Sequence, residues 1–285
     1  MQKHLDEQEW TEVISPKSSW FNLRLGELWR YRDLILLFVR RDFVAVYKQT
    51  ILGPLWHVIQ PLLTTLTFFI VFGQIANLST DGTPKFLFYL CGTTVWNYFA
   101  SCFGKTSGTF VNNAQIFGKV YFPRLTVPVS TVIASLFSFG INFIVFLIFY
   151  TYFYFTSDSI SPNGWVLAVP LFLLIMAFQG LGFGIIISSL TTKYRDLTFL
   201  VTFGIQLFMY LSPVIYPMSS LSPKLQLYMS FNPIAPVLEG FRYAFLGSGV
   251  FNLQMLLYSI LVTLVLFFGG VAIFHRVERN FMDTV

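Results

Sequence analysis

Few residues of this 285-residue chain are of a type that does chemistry, and those few are scattered. Glu239 and Arg242 stand three positions apart in an otherwise apolar stretch, a spacing that lets them pair across one helical face. Arg195 and Asp196 adjoin in TTKYRDL. Asp196 suits a helix N-terminus, so the pair reads equally as a capped, snorkelled turn or as charges facing a partner. His57 and Gln60 lie near the start of an apolar run, as interfacial polar residues or as part of a conduit or gate. A membrane enzyme acting on lipid-linked sugars needs carboxylates or histidines converging at one membrane face, and His57 is isolated. Cys91 and Cys102 have no metal spacing and read as buried thiols. No G-x-x-x-x-G-K-[ST] element occurs, so the chain has no visible nucleotide-binding loop of its own.

The elements that carry these residues are written in hydropathy. The chain is 55% hydrophobic and 11% charged, whereas a soluble domain carries about 25% charged residues. So much apolar surface cannot be hidden in one soluble core. The aromatic load, 34 Phe, 14 Tyr and 6 Trp, suits a bilayer. The expectation is an all-α integral membrane protein with six transmembrane helices, an N-terminal interfacial helix and re-entrant helices before the last span. Residues 1–21 form a polar N-terminal tail without the apolar core of a signal peptide. Residues 22–49 read as an amphipathic interfacial helix. The transmembrane region covers 51–274, with spans at about 51–75, 86–104, 125–154, 165–190, 198–217 and 252–274. Residues 105–124 form a polar loop, and 218–250, rich in Pro and Gly, is the re-entrant region. Residues 275–285 are a second tail. Gly180 and Gly184 give the spacing of close helix contacts. With both tails in the cytoplasm, 15 of the 18 basic residues fall inside, and only Lys85, Lys224 and Arg242 outside. The net charge of +5 therefore reads as topology and anionic lipid contact, not nucleic-acid binding.

Several stretches carry a family resemblance. RRDFVAVYKQTILGPLWHVIQP at 40–61 holds Tyr47, Lys48, Thr50, Leu52, Gly53, Trp56 and Pro61 in order. KVYFPRLTVP follows at 119–128, KYRD at 193–196, SPVIYP at 212–217, FNPIAPVLEGFR at 231–242 and FHRVERNFMDTV at 274–285. In this order the chain resembles the ABC-2 type permease subunit of exporters that move polysaccharides such as O-antigen, capsule or teichoic acid across the bacterial inner membrane. Arg124 is a departure, at a position where relatives vary in charge.

The resemblance implies a homodimer of permeases with two copies of a cytoplasmic ABC ATPase beneath. ATP and Mg are then bound by that partner, and no cofactor by this chain. The substrate is a lipid-linked or finished polysaccharide. Coupling to the ATPase falls to Asn112, Asn113, Gln115, Lys119 and Arg124 in the 105–124 loop, with Arg195 and Asp196. A sugar chain stacks C–H faces on aromatic rings, so the conduit candidates are Trp56, Phe68, Phe69, Phe72, Tyr89, Trp96, Tyr98 and Phe99, with Thr93 and Asn97 as polar contacts. Tyr216, Glu239 and Arg242 are candidates for an extracellular gate. Rival readings are an ABC-2 exporter of a lipid, drug or peptide, a membrane enzyme on lipid-linked sugars, and a passive channel. A secondary transporter lacks its coupling carboxylates here.

Overall fold

A computed structural model describes residues 25–47, 53–192, 194 and 196–280. The N-terminal tail, Lys48, Thr50, Leu52, Lys193, Arg195 and the last five residues lie outside the described residues. Eleven α-helices are found among those described: α1 (Leu25–Arg30), α2 (Arg32–Tyr47), α3 (Trp56–Phe68), α4 (Lys85–Ser107), α5 (Thr109–Phe117), α6 (Thr126–Thr156), α7 (Val169–Thr191), α8 (Leu197–Tyr210), α9 (Pro223–Ser230), α10 (Ala235–Leu246) and α11 (Leu253–Asn280). The segment expected as one interfacial helix is two, α1 and α2, meeting at a turn on Tyr31. The expected polar loop contains α5.

Four helices, not six, are long and apolar enough to cross a membrane among the described residues. They run Trp56–Ile75, Thr126–Thr156, Gly164–Thr191 and Leu253–Glu278. The protein is thus a multi-pass membrane protein, but two expected spans fall away. At 14 residues α8 rises about 21 Å, short of a hydrocarbon core of about 30 Å. Helix α4 is long enough, at 23 residues, but carries Lys85, Asn97, Lys105 and a series of Thr and Ser. It tolerates them because its neighbours, not lipid, cover most of it: α6 and α7 pack along its length, and Leu87, Phe88, Tyr89 and Phe99 are fully buried. The expected re-entrant pair before the last span is also absent. Helix α9 buries none of its residues, whereas α10 buries all but Tyr243. Proline and glycine in 218–250 mark turns around a buried α10, not a hairpin dipping into lipid.

Helix α7 forms the centre of the bundle because it lacks side chains where its neighbours press closest. A Cβ on Gly180 would lie 2.6 Å from Cys102 Cβ of α4, and one on Gly184 2.7 Å from Thr106 Cγ2. On the other side, a Cβ on Gly182 would meet the α11 backbone at Leu266, 3.0 Å away, and one on Gly270 of α11 the Gly182 carbonyl at 3.0 Å. Small residues allow this approach where dispersion contacts drive helix association. A polar knot ties α7 to α11 and to the turn before α10. The Gln179 amide donates to the Pro233 carbonyl at 3.0 Å, and it lies 3.1 Å from Ser259 Oγ and 3.0 Å from Thr263 Oγ1 of α11.

The first span is irregular. Pro61 stands inside α3 and supplies no N–H to the turn before it. Beyond Phe68 the chain continues as a π-helix, Phe69–Ile75. Thr65 and Phe68 face inward, and the next buried residue is Gly73, five positions on, which seats so close to Tyr89 that a Cβ would lie 3.2 Å from its ring. Lys85 ends this segment, its ammonium donating to the Gly73 carbonyl and to Asn77 Oδ1, each at 2.6 Å.

Replacing Gly180 or Gly184 by Leu overpacks the α4–α7 seam and is expected to cost about 1–3 kcal/mol or more. Gly204, with nothing near its Cβ position, tolerates Ala. Thermal unfolding of the detergent-solubilised protein measures both; equal melting temperatures for Gly180→Leu and wild type would contradict the seam.

Candidate functional site

A buried, charged cluster is built on α10. Glu239 and Arg242 are fully buried and 3.1 Å apart. Each also holds backbone from elsewhere. Glu239 accepts from the N–H of Val250 at 3.1 Å and of Met218 at 3.4 Å. Arg242 donates to the Val214 carbonyl and, at 3.5 Å, to that of Tyr216, and its guanidinium stands 3.9 Å from the Phe88 ring centroid of α4. Burial pushes the Glu239 carboxyl up, while Arg242 and the two N–H groups pull it down. The pair thus ties the 212–218 turn and the 247–252 loop to α10 and α4. Tyr216, half-buried, donates its hydroxyl to the Tyr210 carbonyl at 3.2 Å. The structure places Tyr216, Glu239 and Arg242 in one cluster, with the Tyr216 backbone carbonyl, not its ring, against Arg242.

Residues outside that grouping complete the cluster. Gly92 of α4 leaves room for the guanidinium: its Cβ would lie 2.7 Å from Arg242 Nη2 and 2.9 Å from the Val214 carbonyl. Gly249, at φ +117°, lets the chain turn beside Glu239. Ser219 donates to Asp81 at 2.6 Å, joining the turn after the first span to the same assembly. An isolated glycine in an apolar helix signals close backbone approach, the one hint available for Gly92.

The aromatic candidates separate by helix. Trp56 is 49% exposed, and Phe69 and Phe72 are half-buried. Phe68 of α3 and Tyr89, Thr93, Trp96, Tyr98 and Phe99 of α4 are buried in the core of the single chain, and Asn97 is half-buried. Thr93 Oγ1 lies 3.1 Å from Thr65 Oγ1 and donates to the Tyr89 carbonyl at 2.9 Å. Trp96 packs on Phe99 and Phe208, and Tyr98 on Phe139.

At the opposite end, α5 exposes Asn112 and Gln115, with Lys119 exposed just beyond it; Asn113 is half-buried and bonds the Thr109 carbonyl at 2.9 Å. A chain of rings fixes this helix: Phe110 stacks on Phe274 of α11 at 4.5 Å, and Phe117 meets Phe122, which meets Phe38 of α2. Arg124 and Glu278 interlock reciprocally. The Arg124 guanidinium donates to the Glu278 carbonyl at 2.7 Å, and the Arg124 N–H to the Glu278 carboxylate at 3.3 Å. Burial lowers the Arg124 pKa and Glu278 opposes the shift, so it stays charged. Asp196 is exposed at the start of α8, and Arg195 lies outside the described residues. No group of three or more His, Cys, Asp or Glu that could hold a metal is present among the described residues.

Arg242→Met is expected to cost about 3–5 kcal/mol, because it strands a buried carboxylate, and replacing Glu239 as well recovers part of that loss. Gly92→Ala should destabilise by displacing the guanidinium. Thermal unfolding of single and double variants tests this; additive losses would sink the pairing.

The family described as ABC-2 type transporter matches residues 33–246. Two O-antigen export system permease proteins RfbA of Klebsiella pneumoniae are each 28% identical to the chain over 251 residues, covering 88% of it and 94% of each relative. The O-antigen export system permease protein RfbA of Myxococcus xanthus is 24% identical over 261 residues, covering 91% of the chain and 98% of the relative. The family match runs from α2 to the end of α10 and takes in both the Glu239–Arg242 cluster and α5, so the chain belongs to the ABC-2 type transporter family as a membrane subunit.

Proposed function

We propose that this protein is the membrane subunit of an ATP-driven exporter that moves an O-antigen-like polysaccharide across the bacterial inner membrane. The observation that carries the reading is end-to-end similarity to O-antigen export permeases, over 94–98% of their length. The working unit is two copies of this chain with two copies of a cytoplasmic ATPase that binds ATP and Mg. Both tails lie in the cytoplasm. Support for this comes from the packing of α2 and the end of α11 at one end of the bundle, through Phe38, Phe122 and Arg124, where Arg30, Arg40, Arg41, Lys119 and Arg276 also gather.

Helix α5 is the element the ATPase moves. Its exposed Asn112 and Gln115, with Lys119, offer a polar docking face, while its other face is stapled by Phe110 and Phe117 to α11 and the 118–125 linker. Through the Arg124–Glu278 interlock, a push on α5 reaches α6 and α11 together. At the other end, Glu239 and Arg242 hold the 212–218 turn as a gate. Trp56 on α3, with Phe69 and Phe72 on the π-helical segment that follows it, are the aromatic candidates accessible to sugar. The buried rings of α4 support that wall from behind.

In the native host, a clean deletion is expected to remove one surface glycan while its lipid-linked form accumulates inside, with complementation restoring both. Unchanged surface and internal glycans in a strain that expresses the protein would overturn the cargo assignment. Arg124→Ala should lower export several-fold with chain abundance in the membrane retained, read by surface glycan and immunoblot together. Full export by that variant would remove the interlock from the coupling path.

A further inference from the structure

A cavity of about 250 Å³ opens between α2, α3, α4 and α6, at the end of the bundle where α4 finishes and α3 begins. Its walls include Asp42, Phe43, His57, Lys105, Thr131 and Ser138. Two of these groups are unspent. The Lys105 ammonium and the Ser138 hydroxyl make no hydrogen bond or ion pair among the described residues. Asp42 is already neutralised, with Arg41 Nη2 at 2.8 Å. With His57 neutral, the cavity therefore offers about one net positive charge, a hydroxyl donor and an imidazole.

The rim is apolar and leads into the membrane. Phe43 and Phe137 pack at 5.4 Å between ring centroids and are both exposed. From Phe137, a stripe on α6 continues through the half-buried Gly140 to the exposed Ile144 and Ile148, at successive turns of one face. Nothing lies within 4 Å of the Cβ position of Gly140, so a shallow groove leaves the cavity along the helix. A polar pocket with one cation, opening into an apolar groove on a membrane-facing helix, matches a lipid with a phosphate head and an acyl tail.

We propose that this cavity holds the phosphodiester of an anionic glycerophospholipid of the bilayer, with Lys105 and Ser138 on the phosphate and an acyl chain along Phe137, Gly140, Ile144 and Ile148. The charge count selects this source. A phosphodiester carries one negative charge, matching Lys105. The pyrophosphate of a lipid-linked sugar carries at least two, and the second would find no further unpaired cation among the described lining residues. Lipid seated here packs α2 against α6 and so holds the surface helix on the bundle. The assignment depends on the chain's place in a membrane, not on its cargo.

The test is native mass spectrometry of the full-length protein purified in mild detergent, titrated with phosphatidylglycerol or diacylglycerol. Phosphatidylglycerol should remain bound where diacylglycerol does not. Lys105→Gln should reduce its retention about fivefold, the scale of one basic residue at a membrane surface. Ser138→Leu, which fills the cavity, should do the same, and Lys224→Gln, on α9, should not. Lys105 is exposed, so the first variant keeps the test valid if the second fails to fold. Equal retention by wild type and Lys105→Gln would overturn the proposal. So would displacement of phosphatidylglycerol by a polyprenyl pyrophosphate in a Lys105-dependent way, which would give the cavity to substrate instead.

Discussion

The contact of α7 with both α4 and α11 at backbone distance is the constraint on which the other packing depends. Where apolar surface is already solvated by lipid, helices gain little from hiding it, and association has to come from close fit and internal hydrogen bonds. Gly180 and Gly184 on one side and Gly182 on the other provide the fit, and Gln179 provides the bonds. Once α4, α7 and α11 are held this close, α4 is enclosed on most of its surface, and most of its Thr and Ser residues face protein instead of hydrocarbon. The Ser101–Ser135 and Thr65–Thr93 pairs are the result, linking α4 to α6 and to α3 at about the length of ordinary hydroxyl bonds.

From this rigid centre the two ends differ in how they are tied. At the end bearing α10, the ties are charged and buried: the carboxylate gathers backbone N–H groups from two other segments, and the guanidinium two carbonyls of one of them. Such a cluster is all or nothing, because losing a single member leaves the rest unsatisfied in a dry site. At the end bearing α5, the ties are buried aromatic rings, with the half-buried Arg124–Glu278 interlock at their edge. Rings in contact slide and tilt at small cost compared with breaking a buried ion pair. One end is therefore tied by charge and the other mainly by ring packing.

The sequence was informative where a residue type has one physical use. Glu239 and Arg242, three apart in apolar surroundings, stood where they could pair, and the spacing of Gly180 and Gly184 permitted close contact with a neighbour. It was misleading where hydropathy has two uses. Leu87, Phe88 and Phe99 count as apolar whether they face lipid or protein, so a window over α4 reads as a span although other helices enclose it. The same ambiguity hid the burial of Tyr89, Trp96 and Tyr98 among the conduit candidates, since one sequence gives no direction for a ring. Ties between distant segments were beyond reach altogether. Arg124 and Glu278 are 154 positions apart, and nothing local to either names the other.

The π-helical close of the first span has a bearing on how the length of this chain can vary. A π turn takes up more residues than an α turn for nearly the same advance. The step from Phe68 to Gly73 along the inward face is accordingly five positions rather than four. Loss of one residue between them would let the segment wind as ordinary α-helix, keep a small residue against Tyr89 and leave Lys85 near its carbonyl. Relatives one residue shorter in this stretch would then share the same fold from α4 onward, with the gap absorbed inside a membrane span instead of in a loop.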